Sequence, residues 1–219
     1  GTRASALALV QAQLVVDELA GIGVAAQCTT IVTEGDVRSA DTPWGEGAFV
    51  TAIERALLDG NVDLAVHSAK DVPTDEHPDL RIAAFLPRAS AHDVLVMPAG
   101  VPATDLAGLP LGARVGTDSP RRTAFLRALR PDLLVHPIHG NVDTRLRRLD
   151  GGETDALVLA AAGLTRLGLA SRISAVLPVT DGPPAPGQGA IAVQVRADDA
   201  TTAGLVGRLD DAATRCSVL

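Results

Sequence analysis

Four side chains able to do chemistry crowd one short segment: His67, Ser68, Lys70 and Asp71. A carboxylate beside a cation and a potential proton donor suits proton transfer, and it suits facing a positive charge as it develops. A second set is spread along the chain. Arg3, the Arg121 and Arg122 pair, and Arg145 each follow an expected strand and precede or open an expected helix. A cation in a first helical turn opposes the helix dipole by roughly 0.3–1 kcal/mol. The free N–H groups at that end already suit an anion, and a guanidinium grips a carboxylate through two parallel hydrogen bonds. The recurrence of arginine at such junctions points to a polyanionic ligand. Plainer readings stand beside these: a polar turn for 67–71, and surface ion pairs for the arginines. No GxxxxGK[ST] phosphate loop is present, which counts against a nucleotide. His67 and Asp71 are four apart, but on a loop after a strand, so no metal pair is expected.

The elements that must position these groups follow from periodicity. Leu64, Ala65 and Val66 read as a short buried strand that stops at His67. That would put His67, Ser68, Lys70 and Asp71 in the crevice beyond a strand's carboxyl end, where ligands of open α/β sheets sit. Ser5 is a good N-cap for a helix carrying Leu7, Val10, Leu14 and Leu19 at helical spacing. A strand is expected over 27–32 and a helix over 49–58. The Gly-rich stretch 33–47 between them is too long for a simple turn and reads as an active-site loop. Further strands are expected at 80–85, 93–97, 113–117, 133–137, 155–160 and 190–195. Helices are expected from Pro120 to about Leu129, over 142–149 and 163–169, and from 201 to the end. Alternating strands and helices imply α/β layers with largely parallel sheets. A weak echo, LLDGNVDLAV at 57–66 against RLDGGETDALV at 148–158, favours two similarly built domains facing across a cleft. The strand at 190–195 would return the chain to the first.

Bulk properties bound the function. The 219 residues carry a formal net charge of -7 and only 2% aromatics. Both argue against nucleic acid, whose binders show basic excess and aromatic stacking platforms. A basic patch in such a chain would instead meet a small anionic ligand. No apolar run approaches the ~18 residues needed to span a bilayer, and no signal peptide is visible. Cys28 and Cys216 form no CxxC pair and suit a reducing cytoplasm. The chain opens at Gly1 without Met, and residues are expected before it.

Five segments carry a resemblance. GTRASALAL (1–9), VHSAKDVP (66–73), GTDSPRR (116–122), GNVDTRL (140–146) and PGQGA (186–190) occur in this order across nearly the whole chain. In them the sequence closely resembles the porphobilinogen deaminase (hydroxymethylbilane synthase) family. The resemblance implies an α/β fold of two periplasmic-binding-protein-like domains: 1–88 plus 189–207, and 89–188, with 208–219 starting a helix toward a third. It implies that four porphobilinogens are joined head to tail, each losing ammonia. Asp71 matches the catalytic acid/base. Arg3, Arg121, Arg122 and Arg145 match the residues that take the pyrrole acetates and propionates. Ser5, Ser68, Lys70, Thr117, Ser119, His139, Arg172 and Gln188 match other positions of the substrate and cofactor site. The implied cofactor is dipyrromethane, anchored in the family by a cysteine of a third, α+β domain. That cysteine and domain are expected to be absent from this chain; Cys216 lies upstream and reads as structural. The expected partner is porphobilinogen alone, with no nucleic acid or membrane, acted on by a cytoplasmic monomer.

The sequence also departs from the family pattern. Glu46 and Thr51 stand where the family usually has lysine, His139 and His92 where it has arginine, and Asp118 where it has a hydroxyl residue. Each removes positive charge or adds negative charge. With these changes, a non-catalytic pyrrole-binding relative is the alternative function.

Overall fold

The computed structural model describes residues 1–33, 50–75 and 77–219. The chain divides into two units, Gly1–Ala89 with Gly189–Leu219, and Ser90–Gln188.

In the first unit, strand β1 (Thr2–Arg3) pairs in parallel with β2 (Thr30–Ile31). Helix α1 (Ala6–Gly21) follows β1, and Ser5 caps it by accepting from the Ala8 N–H. Helix α2 (Thr51–Leu58) leads to β3 (Ala65–Ser68), then β4 (Leu80–Phe85). Strand β10 (Ile191–Arg196) inserts between β3 and β4, antiparallel to both. Its side chains alternate between the sheet's faces, as a pleated strand requires. Ile191 and Val193 join Val15, Leu19 and Val66 under α1. Ile53 and Leu57 of α2 cover Ala65 and Leu80 on another face. The unit closes with α6 (Ala200–Val206) and α7 (Ala212–Val218).

The second unit is one five-stranded sheet in the order β7-β6-β8-β5-β9. Its strands are β5 (Asp93–Val96), β6 (Arg114–Gly116), β7 (Leu134–His136), β8 (Ala156–Ala160) and β9 (Ile173–Val176). Strands β7, β6 and β8 are parallel, while β5 runs antiparallel to β8 and β9. Helix α3 (Pro120–Leu129) packs Phe125 and Leu126 on the face of Leu95, Val115 and Val158. Helices α4 (Val142–Asp150) and α5 (Ala161–Arg166) cover Val94, Val96 and Leu157 opposite.

Several expectations are corrected. The sheets are mixed, because β10 and β5 are threaded against their neighbours' direction, and strand periodicity carries no direction. Strand β3 continues through His67 and Ser68, since His67 pairs with Ala192 of β10 and is buried. Strand β9 was unforeseen: its four residues are only partly buried or exposed, so it lacks a strong apolar signature. The expected terminal helix breaks between Val206 and Ala212, where a 3₁₀ turn ends at Leu209 and Asp211 starts a new cap. Cys216 is exposed on α7. The expected loop at 33–47, with Glu46, lies outside the described residues apart from Thr33.

Candidate active site

In the second unit the carboxyl ends of β6, β7 and β8 share one edge of the sheet. Asp93 opens the antiparallel β5 opposite Ala160, the last residue of β8, and so stands at the same edge. Gly116 ends β6 where space is closed. A Cβ there would come within 2.8 Å of Leu157 and 2.9 Å of Ile138. Thr117 follows, buried, its N–H on the His136 carbonyl at 3.0 Å. The Thr117 hydroxyl accepts from the Ser119 N–H at 3.2 Å. Ser119 caps α3 by accepting from the Arg122 N–H, with Pro120 in the first turn.

That cap sends two arginines into the edge. Arg122 is buried and lays Nε and Nη2 on Asp93 Oδ1, at 3.0 and 2.7 Å. Its Nη1 donates to the Val158 carbonyl at 3.2 Å, and Nη2 also reaches Gln188 Oε1 at 3.4 Å. Arg121 donates to Asp93 Oδ2 at 2.7 Å and to the Pro183 carbonyl, with its guanidinium over the Phe125 ring. Gln188 completes the set by donating to Asp93 Oδ1 at 2.9 Å and to the Ala91 carbonyl. Burial of the Asp93 carboxyl opposes its ionisation. The Arg122 charge and the hydrogen bonds from Arg122, Arg121 and Gln188 outweigh it, holding the carboxyl below the usual carboxylate range.

A second carboxylate sits two strands over, past β8. Asp118 places Oδ2 2.9 Å from Arg145 Nη2 and Oδ1 2.9 Å from His139 Nδ1. Arg145 also donates through Nε to the Gly140 carbonyl at 2.7 Å. Gly140 has φ +111, a conformation side chains resist, and any Cβ there would strike Thr144. The structure thus brings Thr117, Ser119, Arg121, Arg122, His139, Arg145 and Gln188 to one edge. It does not bring Arg172 there. Arg172 pairs with Asp150 at 2.7 Å and reaches the Met97 carbonyl, beyond the opposite end of β5.

In the first unit, Arg3 ends β1, and Ser5 is the buried cap of α1. Ser68, at the end of β3, lies 3.0 Å from Gln11 Nε2 on α1. Lys70 and Asp71 follow on a one-turn 3₁₀ helix, Ala69–Asp71, and both are exposed. His67 does not join them. Its Nε2 is 3.1 Å from Gln194 Oε1, and Gln194 Nε2 donates to Glu54 at 2.9 Å. The amide oxygen must accept, so His67 Nε2 carries the proton. Burial pushes the imidazole down to about 4, against the Gln194 bond that raises it.

Sequence reasoning missed Asp93, Gln11 and Gln194 as members of these networks. Asp93 left a signal: an acid heading a wholly buried strand needs a cation. Gln11 and Gln194 are amides inside apolar runs, which periodicity treats as noise.

Similar folds occur among transport receptors. An ABC transporter periplasmic substrate-binding protein from Coxiella burnetii superposes with TM-score 0.56 at 19% identity, covering 99% of this chain and 93% of that one. A putative methionine-binding lipoprotein from Bacillus subtilis gives TM-score 0.56 at 13% identity, covering 98% and 90%. The fold is therefore that of two-domain, periplasmic-binding-protein-like α/β proteins. Sequence narrows this further. Residues 1–204 match the family model described as porphobilinogen deaminase, dipyromethane cofactor binding domain. The porphobilinogen deaminase of Roseiflexus sp. (strain RS-1) is 49% identical over 223 residues, spanning 100% of this chain and 73% of that protein. That of Mycobacterium marinum is 47% identical over 219 residues, spanning 100% and 69%. The chain belongs to the porphobilinogen deaminase family.

Proposed function

We propose that the full-length protein carries out the condensation of four porphobilinogen units, head to tail, into hydroxymethylbilane with release of ammonia. The family match over residues 1–204 carries this reading. In each condensation the aminomethyl C–N bond breaks, a C–C bond forms to the free α-carbon of the growing chain, and that carbon loses its proton; water adds to the terminal methylene when the product is released. The amino group leaves as ammonia and the pyrrole left behind is cationic. Asp71 is the acid/base: its exposed carboxylate, on a turn fixed by β3, handles the proton and faces that positive charge. Arg121 and Arg145, partly buried at the second unit's sheet edge, take pyrrole carboxylates, with Thr117 and Ser119 alongside. Arg122 and Gln188 support Arg121 through Asp93. In the first unit, Arg3 at the end of β1 and Ser5 at the start of α1 are further binding residues. Arg172, held by Asp150, has no part in it.

A bound dipyrromethane supplies the primer from which the chain grows. Its carboxylates need guanidinium and hydroxyl donors, and the donor set at the β6–β8 edge fits that need. Cys28 and Cys216, both exposed, are not assigned as its anchor. We further infer a cytoplasmic monomer that needs neither nucleic acid nor membrane. Among the described residues no helix is long and apolar enough to cross a membrane. The intact mass of the full-length protein, purified as expressed from its natural gene, tests the cofactor. The expected mass exceeds that of the polypeptide by two pyrrole units; a bare polypeptide mass would sink this part of the reading.

A further inference from the structure

Asp118 is a carboxylate standing where a ligand's carboxylate belongs. It lies just past the end of β6, two residues before Pro120 opens α3, and reaches across to Arg145 on the first turns of α4. Its two oxygens are each 2.9 Å from a cation or potential cation, Arg145 Nη2 and His139 Nδ1. The three side chains are shielded alike, at 19%, 15% and 17% exposure for Asp118, Arg145 and His139. Two neighbouring positive or potentially positive groups favour an anion at this spot. The protein supplies that anion itself.

We propose that Asp118 is a specificity-determining residue: it occupies Arg145 and His139 as a resident carboxylate and thereby weakens the hold of this edge on ligand carboxylates. A carboxylate arriving at Arg145 must share the guanidinium with Asp118 and sit beside its negative charge. Like charges placed side by side across a binding surface cost affinity. Arg121 differs, because its partner Asp93 is buried behind it and also neutralised by Arg122. The edge therefore grades its two arginines, one with a buried counter-charge and one with a counter-charge at the ligand's own level.

The inference rests on the proposed reaction, and its test separates the two. Steady-state kinetics with porphobilinogen are measured for the full-length protein and for D118N, which keeps an acceptor oxygen for Arg145 but loses the charge. D118S, smaller and uncharged, serves as the second variant. KM is expected to fall about 5- to 10-fold in each, with kcat not increased. The fall is expected to vanish for the methyl-esterified substrate analogue, and in D118N/R145Q compared with R145Q. An unchanged or raised KM, or an equal gain for the ester, would overturn the role of Asp118 while leaving the reaction standing. No turnover by the unsubstituted protein would overturn the functional reading, and this inference with it.

Discussion

Asp93 and Arg122 show how one residue's burial decides what its substitution measures. Arg122 was expected to grip ligand carboxylates, yet its guanidinium is spent on Asp93, Val158 and Gln188 inside the second unit. Removing it leaves a buried carboxylate without its main counter-charge, and breaking such pairs costs about 3–5 kcal/mol. R122L is therefore expected to lower the unfolding free energy of the second unit, read from urea denaturation, by that amount. An unfolding free energy within about 0.5 kcal/mol of the unsubstituted protein would mean the pair is not closed as described. Asp118 and Arg145 lie nearer the surface, and there the expected readout is affinity rather than stability. The arginines were legible as a group because cations at helix starts are unfavourable without an anion. Which of them faces a ligand was not legible. That depends on the acids they meet, Asp93 and Asp118, at 29 or fewer positions' separation in sequence but adjacent across the sheet.

At the scale of elements, the chain from α2 through β10 to β3 runs on side chains as well as backbone. Glu54 on α2 accepts from Gln194 on β10, and Gln194 accepts from His67 on β3. This fixes β3, and so the turn that carries Asp71. It also makes stability depend on pH in a stated direction. Folded His67 titrates at about 4, against 6.5 for an ordinary imidazole. Between those values the unfolded chain binds the proton and the folded one does not. The stability present above pH 6.5 is lost as pH falls through that window. The loss due to His67 is about 2 kcal/mol between pH 7 and pH 5. Urea midpoints at the two pH values check it, with H67Q expected to show a correspondingly shallower dependence. An equal dependence in both proteins would contradict the burial of a neutral His67. Elements with strong signatures, such as α1 behind Ser5 and α3 behind Ser119 and Pro120, were readable from caps and spacing. Strand direction was not. The apolar run of β10 reads the same whether it enters parallel or antiparallel, and it enters antiparallel between β3 and β4.

At the scale of the whole molecule, the chain divides its chemistry between two units of unlike sheet. The first carries the exposed carboxylate of Asp71 after β3, and the second carries the arginine edge after β6 and β7. That division was visible in the spacing of motifs, because each sits at the end of an apolar run. The departures from the family pattern read as simple losses of positive charge, and the structure gives two of them a joint meaning. Asp118 and His139 meet each other and share Arg145. Under the proposed function, Asp71 drives a condensation that releases ammonia. The most direct measurement is ammonia release from porphobilinogen by the full-length protein and by D71N. One ammonia is expected per porphobilinogen consumed, with kcat lower in D71N by about 10²- to 10⁴-fold and KM little changed. Wild-type rates in D71N would contradict the role of Asp71. Binding of porphobilinogen without ammonia release by either protein would contradict catalysis and leave a pyrrole-binding protein.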